Sequence, residues 1–216
     1  MNCGKCTRVC VGALELIGKE MQASEIITEV CKDQPFYETS GGGVTFTGGE
    51  PFAQPEFLLT LLQKAKRQGL HVCVETCGFV RREVLKQAIP YIDLFLYDCK
   101  ETNPEQHKKF TGVDNKLILD NLDFISNLGK RIVLRCPLVP GYNDRQEHLK
   151  AIAALANKYS GIIRIDVEPY HPLGKDKAES IGQIYQIQNS TITSKELTAE
   201  WIDTIQQFTD CEVRKG

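Results

Sequence analysis

Gly48, Gly49 and Glu50 close a run, Gly41 to Pro51, in which an apolar segment gives way to polar residues. Val44, Thr45, Phe46 and Thr47 are β-branched or aromatic and lie between glycines, which predicts one short buried strand with a bend at each end. Gly48 and Gly49 have no Cβ, so the backbone there can pass close to a ligand and offer it N–H and C=O groups, while the Glu50 carboxylate can meet an ammonium. Pro51 sets the exit toward a helix that starts near Pro55. Taken alone, the segment is equally well a plain strand-to-helix turn.

Cys3, Cys6 and Cys10 are a second set with chemical potential. Their C-x2-C-x3-C spacing matches the second to fourth cysteines of the ferredoxin cluster motif C-x2-C-x2-C-x3-C. The first cysteine is missing, and Val11 stands where a proline usually follows. Residues 1–20 are therefore expected to be the remnant of a ferredoxin-like iron-sulfur insert, with a zinc knuckle or free thiols as the alternatives. Cys73 and Cys77 have the first spacing of C-x3-C-x2-C, but Val80 occupies the third position, so this pair reads as flanking a strand end.

The composition narrows the possible partners. With 216 residues, 42% apolar and 25% charged, the chain can bury one core, expected over residues 21–216. A net charge of -2 without a basic run argues against nucleic acid. No apolar run reaches the roughly 18 residues of a membrane span, so a cytoplasmic protein is expected. Nine cysteines, in a reducing compartment, read as metal ligands, redox thiols or core residues.

The elements that must position these residues alternate. Ile26, Ile27 and Val30 predict a helix over 21–31 with Ser24 as its cap, and Phe57, Leu58, Leu61, Leu62 and Ala65 a second helix closed by Gly69. Apolar runs at 71–76, 92–100, 132–138 and 162–167 join Val44–Thr47 as strands, with helices over 81–88, 119–128, 146–159 and 195–208. Five such strands predict a parallel α/β sheet of right-handed βαβ units, either open and doubly wound or an incomplete TIM-type barrel. Glu50, Glu75, Thr76, Asp98, Lys100, Arg135, Glu168 and His171 all fall at strand C-terminal ends, where barrels build their sites, and this favours the incomplete barrel.

These residues carry a resemblance. The chain resembles activating enzymes of glycyl-radical enzymes in the radical S-adenosylmethionine superfamily, near the pyruvate formate-lyase activases. The motifs are Cys3-Gly-Lys-Cys6, Ser40 to Pro51, Glu75-Thr76-Cys77-Gly78, Asp98-Cys99-Lys100, Arg135 with Val139-Pro-Gly-Tyr-Asn-Asp144, and Pro169 to Lys175. The resemblance implies that Gly48, Gly49 and Glu50 hold the amino end of S-adenosylmethionine, that Glu75 and Thr76 lie beside its carboxylate, and that Lys100, Arg135 and His171 complete the pocket. It further implies a monovalent cation held by Asp98, Glu75, Thr76 and the carbonyl of Leu96. The activity implied is reductive cleavage of S-adenosylmethionine to a 5'-deoxyadenosyl radical, which abstracts hydrogen from a glycine of a pyruvate formate-lyase type partner. A flavodoxin or ferredoxin-type electron donor and a [4Fe-4S] cluster on a CxxxCxxC loop belong to that chemistry.

No C-x3-C-x2-C occurs among the 216 residues. The chain is accordingly expected to be N-terminally truncated, to lack a first βα unit, and to be inactive alone. Two other readings are a non-catalytic docking or nucleoside-binding module and an unrelated barrel lyase acting through the Lys100 amine.

Overall fold

The structure, a computed structural model, describes residues 5–10, 14, 18–185, 187 and 191–216. Six strands lie side by side in chain order: β1 (Gly43–Phe46), β2 (His71–Thr76), β3 (Leu94–Asp98), β4 (Arg131–Leu138), β5 (Ile162–Pro169) and β6 (Val213–Lys215). Every neighbouring pair is parallel. A doubly wound sheet reverses its strand order part-way, and this one does not. Crossovers of one hand between strands taken in order put the connecting helices on one face, the arrangement of a barrel that has not closed. β1 and β6 are its open edges.

The register separates the two faces. Thr76, Tyr97, Leu134, Ile165 and Val213 form one row across β2 to β6, and all five are buried. One residue further along β3, the next row is Asp98, Arg135, Asp166 and Arg214, on the opposite face. The apolar face is covered by helices Pro55–Arg67, Arg82–Ala88, Lys116–Asn127, Gln146–Lys158 and Lys195–Gln206, which supply Leu62, Leu85, Leu122, Ile152 and Ile205 to the core. Tyr97 is fixed among them by its hydroxyl, which donates to the Ile118 carbonyl at 2.7 Å.

Several expectations need correction. The first long helix runs Ala23–Val30, and its cap is Gln22, whose N–H donates to Glu25 at 2.7 Å; Ser24 lies inside the helix. β6 went unread because only Val213 in it is apolar and buried. The Pro104–Thr111 helix went unread because PEQHKKFT has no apolar stripe, yet Asn103 caps it by accepting from the Glu105 and Gln106 N–H groups at 3.0 Å each.

Candidate functional site

The glycine turn after β1 opens outward. Gly48 and Gly49 are exposed, a Cβ on either would meet nothing within 4 Å, and Gly48 has φ +143°, backbone that favours glycine. Glu50 turns back toward the sheet. Its Oε1 accepts from Thr76 Oγ1 at 2.9 Å and from the Phe52 N–H at 3.2 Å, and its Oε2 accepts from the Cys77 N–H at 3.0 Å. Thr76 in turn accepts from the Gly78 N–H at 3.0 Å. Glu50 and Thr76 therefore join the exits of β1 and β2, with Thr76 on the helix-covered side and Glu75 on the other.

The open face of the sheet carries the charges in matched sets. Arg135 on β4 pairs with Glu75 on β2 and with Glu168 on β5, the latter at 2.9 Å, so one guanidinium spans four strands' width. Burial works against its charge, and Glu168, Glu75 and Asp98 outweigh burial, holding the group well protonated. Asp98 pairs with Lys100 at 2.7 Å. In the same row, Asp166 is held by Arg164 at 2.6 Å and Arg214 at 3.3 Å. Leu96 lies opposite Glu75 in the register, and His171 stands exposed two residues beyond β5.

Lys100 lies between two clefts at the strand ends. One, about 280 Å³, is lined by Cys77, Phe79, Asp98 and Lys100 among others; the second, about 520 Å³, by Lys100, Phe110, Pro137, Val139, Tyr142 and Asn143. Phe110 and Tyr142 meet edge-on there, with centroids 6.1 Å apart. Space of this size with apolar walls and a few charged groups suits a small ligand.

Buried asparagines fix the turns that carry these groups. Asn121 donates to the carbonyls of Gly78 and Val80 at 2.9 and 2.8 Å, fixing the turn after β2. Asn115 donates to the carbonyls of Glu101 and Thr102 at 3.1 and 2.8 Å, after β3. Asn143 donates to the carbonyls of Lys100 and Pro137 at 2.8 and 2.7 Å, and accepts from the Val139 N–H at 2.7 Å. Behind them, buried Glu101 pairs with Arg145 at 2.7 Å, and the buried His148 ring accepts from the Thr102 N–H at 3.2 Å. Sequence reasoning passed over all of these except Asn143, which stands in the Val139 to Asp144 motif without an assigned role. A polar residue within an apolar helix stripe, as at Asn121 in Lys116–Asn127, was the available signal.

The profile of the radical SAM superfamily matches residues 17–156, more than half of the chain. The chain belongs to the radical SAM superfamily. Among curated radical SAM relatives, the choline trimethylamine-lyase activating enzyme of Oleidesulfovibrio alaskensis is 38% identical over 185 residues, covering 84% of this chain and 60% of that protein. The trans-4-hydroxy-L-proline dehydratase activating enzyme of Clostridioides difficile is 38% identical over 192 residues, covering 87% and 63%. This chain thus spans less than two thirds of the length of these relatives. A solved domain of the pyruvate-formate lyase-activating enzyme from Bacteroides vulgatus superposes with a TM-score of 0.67 at 27% identity, over 82% of this chain and 99% of that one.

The superfamily's cofactors are S-adenosylmethionine and a [4Fe-4S] cluster, and the residues described fit them unequally. Exposed Gly48 and Gly49 leave open room beside the strand ends, which suits S-adenosylmethionine. The cluster is not matched: among the described residues, no group of three His, Cys, Asp or Glu side chains is arranged to hold a metal ion. Burial pushes the Cys73 and Cys77 thiols up, with Glu50 adding to the effect at Cys77, and buried Cys136 is pushed up further, so these thiols are poor thiolate donors. Cys6 lies on the short helix Lys5–Val9 and Cys10 just beyond it, its N–H donating to the Cys6 carbonyl at 3.1 Å; Cys3 lies outside the described residues. None of the described helices is long and apolar enough to cross a membrane.

Proposed function

We propose that this chain is the S-adenosylmethionine-binding part of an activating enzyme for a glycyl-radical enzyme. The observation that carries the reading is the set of groups at the C-terminal side of five neighbouring strands, Gly48 and Gly49, Glu75, Lys100, Arg135 (three residues inside the end of β4) and His171, in a chain 38% identical to two activating enzymes. Gly48 and Gly49 receive the amino end of the methionine, and Glu50 holds their turn against β2. On this reading Lys100, which borders both clefts, completes the pocket together with Arg135 and His171. When bound and reduced by a cluster, S-adenosylmethionine supplies a 5'-deoxyadenosyl radical; this chain's own residues orient the molecule and limit water around it.

The partner, on this reading, is a glycyl-radical enzyme that presents a glycine, the electron donor is of flavodoxin or ferredoxin type, and the protein works in the cytoplasm. Pyruvate formate-lyase is one such partner, and the relatives' names extend the choice to choline trimethylamine-lyase and hydroxyproline dehydratase types. A monovalent cation at Asp98, Glu75 and the Leu96 carbonyl is part of the proposal; the Thr76 hydroxyl, taken by Glu50 and the Gly78 N–H on the helix-covered side, is left out of it. As no C-x3-C-x2-C occurs in the 216 residues, the chain by itself binds S-adenosylmethionine without cleaving it.

Titration calorimetry of the chain with S-adenosylmethionine tests the reading, with adenosine as the competitor that a plain nucleoside-binding module would prefer. Saturable binding of S-adenosylmethionine supports it, and binding lost on Gly49→Val locates it. An absence of binding, or tighter binding of adenosine, overturns it.

A further inference from the structure

Lys100 is the charged group that borders both clefts, and it follows β3 by only two residues. A lysine on a strand exit reaches wherever its backbone lets it. In this fold β3 ends at Asp98, and the Cys99 N–H, one residue before Lys100, still donates to the Arg135 carbonyl of β4 at 2.7 Å. Beyond that bond, the Lys100 carbonyl is held by one side chain from the next βα unit. Asn143, 5% exposed, donates one amide hydrogen to the Lys100 carbonyl and the other to the Pro137 carbonyl of β4, and its oxygen accepts from the Val139 N–H. All three of these bonds are 2.7 to 2.8 Å long.

We infer that Asn143 is the positioning residue that sets the reach of Lys100, by tying the exit of β3 to the exit of β4. Only an asparagine-sized amide meets the requirement, because two donors and one acceptor must leave a single short side chain in different directions. Aspartate keeps the size and the acceptor but loses both donors, and it would set a carboxylate against two carbonyl oxygens. With the tie broken, Lys100 no longer stays on Asp98 between the clefts. Glu101, whose carboxylate pairs with Arg145, and Asn115 hold the chain beyond Lys100, so the effect is confined to the exit itself. The significance for ligand binding rests on the function proposed above; the tie between Asn143 and Lys100 does not.

Competitive acetylation with acetic anhydride, read lysine by lysine by mass spectrometry on the intact chain, tests the tie. In Asn143→Asp the Lys100 rate should rise about five-fold, the change expected from losing about one hydrogen bond's net worth in a local opening. Lys66, paired with Asp93 at 2.7 Å at the opposite end of the sheet, serves as the internal reference and should not change. Asn121→Asp, which releases the turn after β2 instead, should leave Lys100 at the wild-type rate. If Asn143→Asp does not fold, Asn143→Ser, which retains one donor, takes its place with a smaller rise. An unchanged Lys100 rate, an equal rise at Lys66, or an equal rise in Asn121→Asp overturns the inference. Binding of S-adenosylmethionine is measured on the same variants: wild type failing to bind would count against the proposed function alone, whereas the acetylation result decides the positioning role.

Discussion

The Thr76 hydroxyl donates to Glu50 at 2.9 Å, and through that bond the glycine turn after β1 is anchored to the end of β2. The same hydroxyl accepts from the Gly78 N–H, so a buried side chain, 2% exposed, serves two turns. Thr76→Val keeps the shape and removes both bonds. Leaving a buried N–H and a carboxylate oxygen short of a partner is expected to cost about 1–3 kcal/mol, read as a lower urea midpoint, with Thr76→Ser recovering most of it. An unshifted midpoint in Thr76→Val would mean that the Cys77 N–H alone suffices to tie Glu50 to the exit of β2.

Two glycines near this turn should respond in opposite ways. At Gly49 a Cβ meets no protein atom, so Gly49→Val should leave the melting temperature within about 2 °C, while S-adenosylmethionine binding falls because the new side chain projects into the ligand's space. At Gly78, with φ +73°, a Cβ would fall on the Tyr97 hydroxyl, and Tyr97 is 1% exposed. Gly78→Ala should destabilise the fold by about 2–4 kcal/mol through strain and overpacking. Thermal melts of the two variants with and without S-adenosylmethionine separate the roles; a large melting shift for Gly49→Val would deny that its surroundings are open.

Acid should weaken the fold earlier than carboxylate titration alone would cause. Burial depresses the His148 imidazole to about 4, against which the Glu101 carboxylate acts and to which Arg145 adds. Unfolded histidine takes up a proton near 6.5, and the folded state resists until about 4, so stability is full above about pH 6.5 and is lost as pH falls through that window. The difference between pH 7 and pH 5 is about 2 kcal/mol. Glu101, also held below its ordinary range although burial opposes this, acts in the same direction at lower pH, through the Asn103 N–H and Arg145. Urea unfolding at the two pH values should show the drop in wild type and a flatter profile in His148→Gln; equal slopes would remove His148 as the source.

The strands and the placement of polar residues at their ends were legible because a parallel strand under a helix layer needs consecutive or alternating apolar residues, and the chain can place charge only where that run stops. What sequence did not disclose was pairing. Glu75, Asp98 and Glu168 were each readable as strand-end residues, whereas Arg135, expected at a strand end, lies three residues inside β4 because the strand stays paired with β5 to Leu138; the register that sets Asp98 opposite Arg135, and lets Arg135 reach both Glu75 and Glu168, is a property of four strands together. Asn115 and Asn121 were hidden for a related reason. Their partners are backbone carbonyls 13 to 43 residues away, which leave no trace in local periodicity. β6 and the Pro104–Thr111 helix lacked the apolar pattern from which elements are read, and only the Asn103-Pro104 cap and Gly112 signalled the helix.

The cation proposal has to contend with the pairs already present. Glu75 is matched by Arg135 and Asp98 by Lys100, so a monovalent cation between the two carboxylates must stabilise them better than those partners do, or share them. Glu75 lies opposite Leu96, and Asp98 two residues on points to the same face, so both carboxylates border the Leu96 position. A small cation can approach a carboxylate that also accepts from a lysine, because each carboxylate oxygen has a second lone pair. If the site binds, potassium at about ten times its dissociation constant should add about 1.4 kcal/mol to stability, a rise of about 3–6 °C in melting temperature for a chain of this size. Tetramethylammonium at equal ionic strength supplies the control, since it screens charge without fitting between the oxygens. Asp98→Asn should erase the difference between the two salts. Equal melting curves for wild type in both salts would leave Asp98 and Glu75 as the anchors of Lys100 and Arg135 and nothing more.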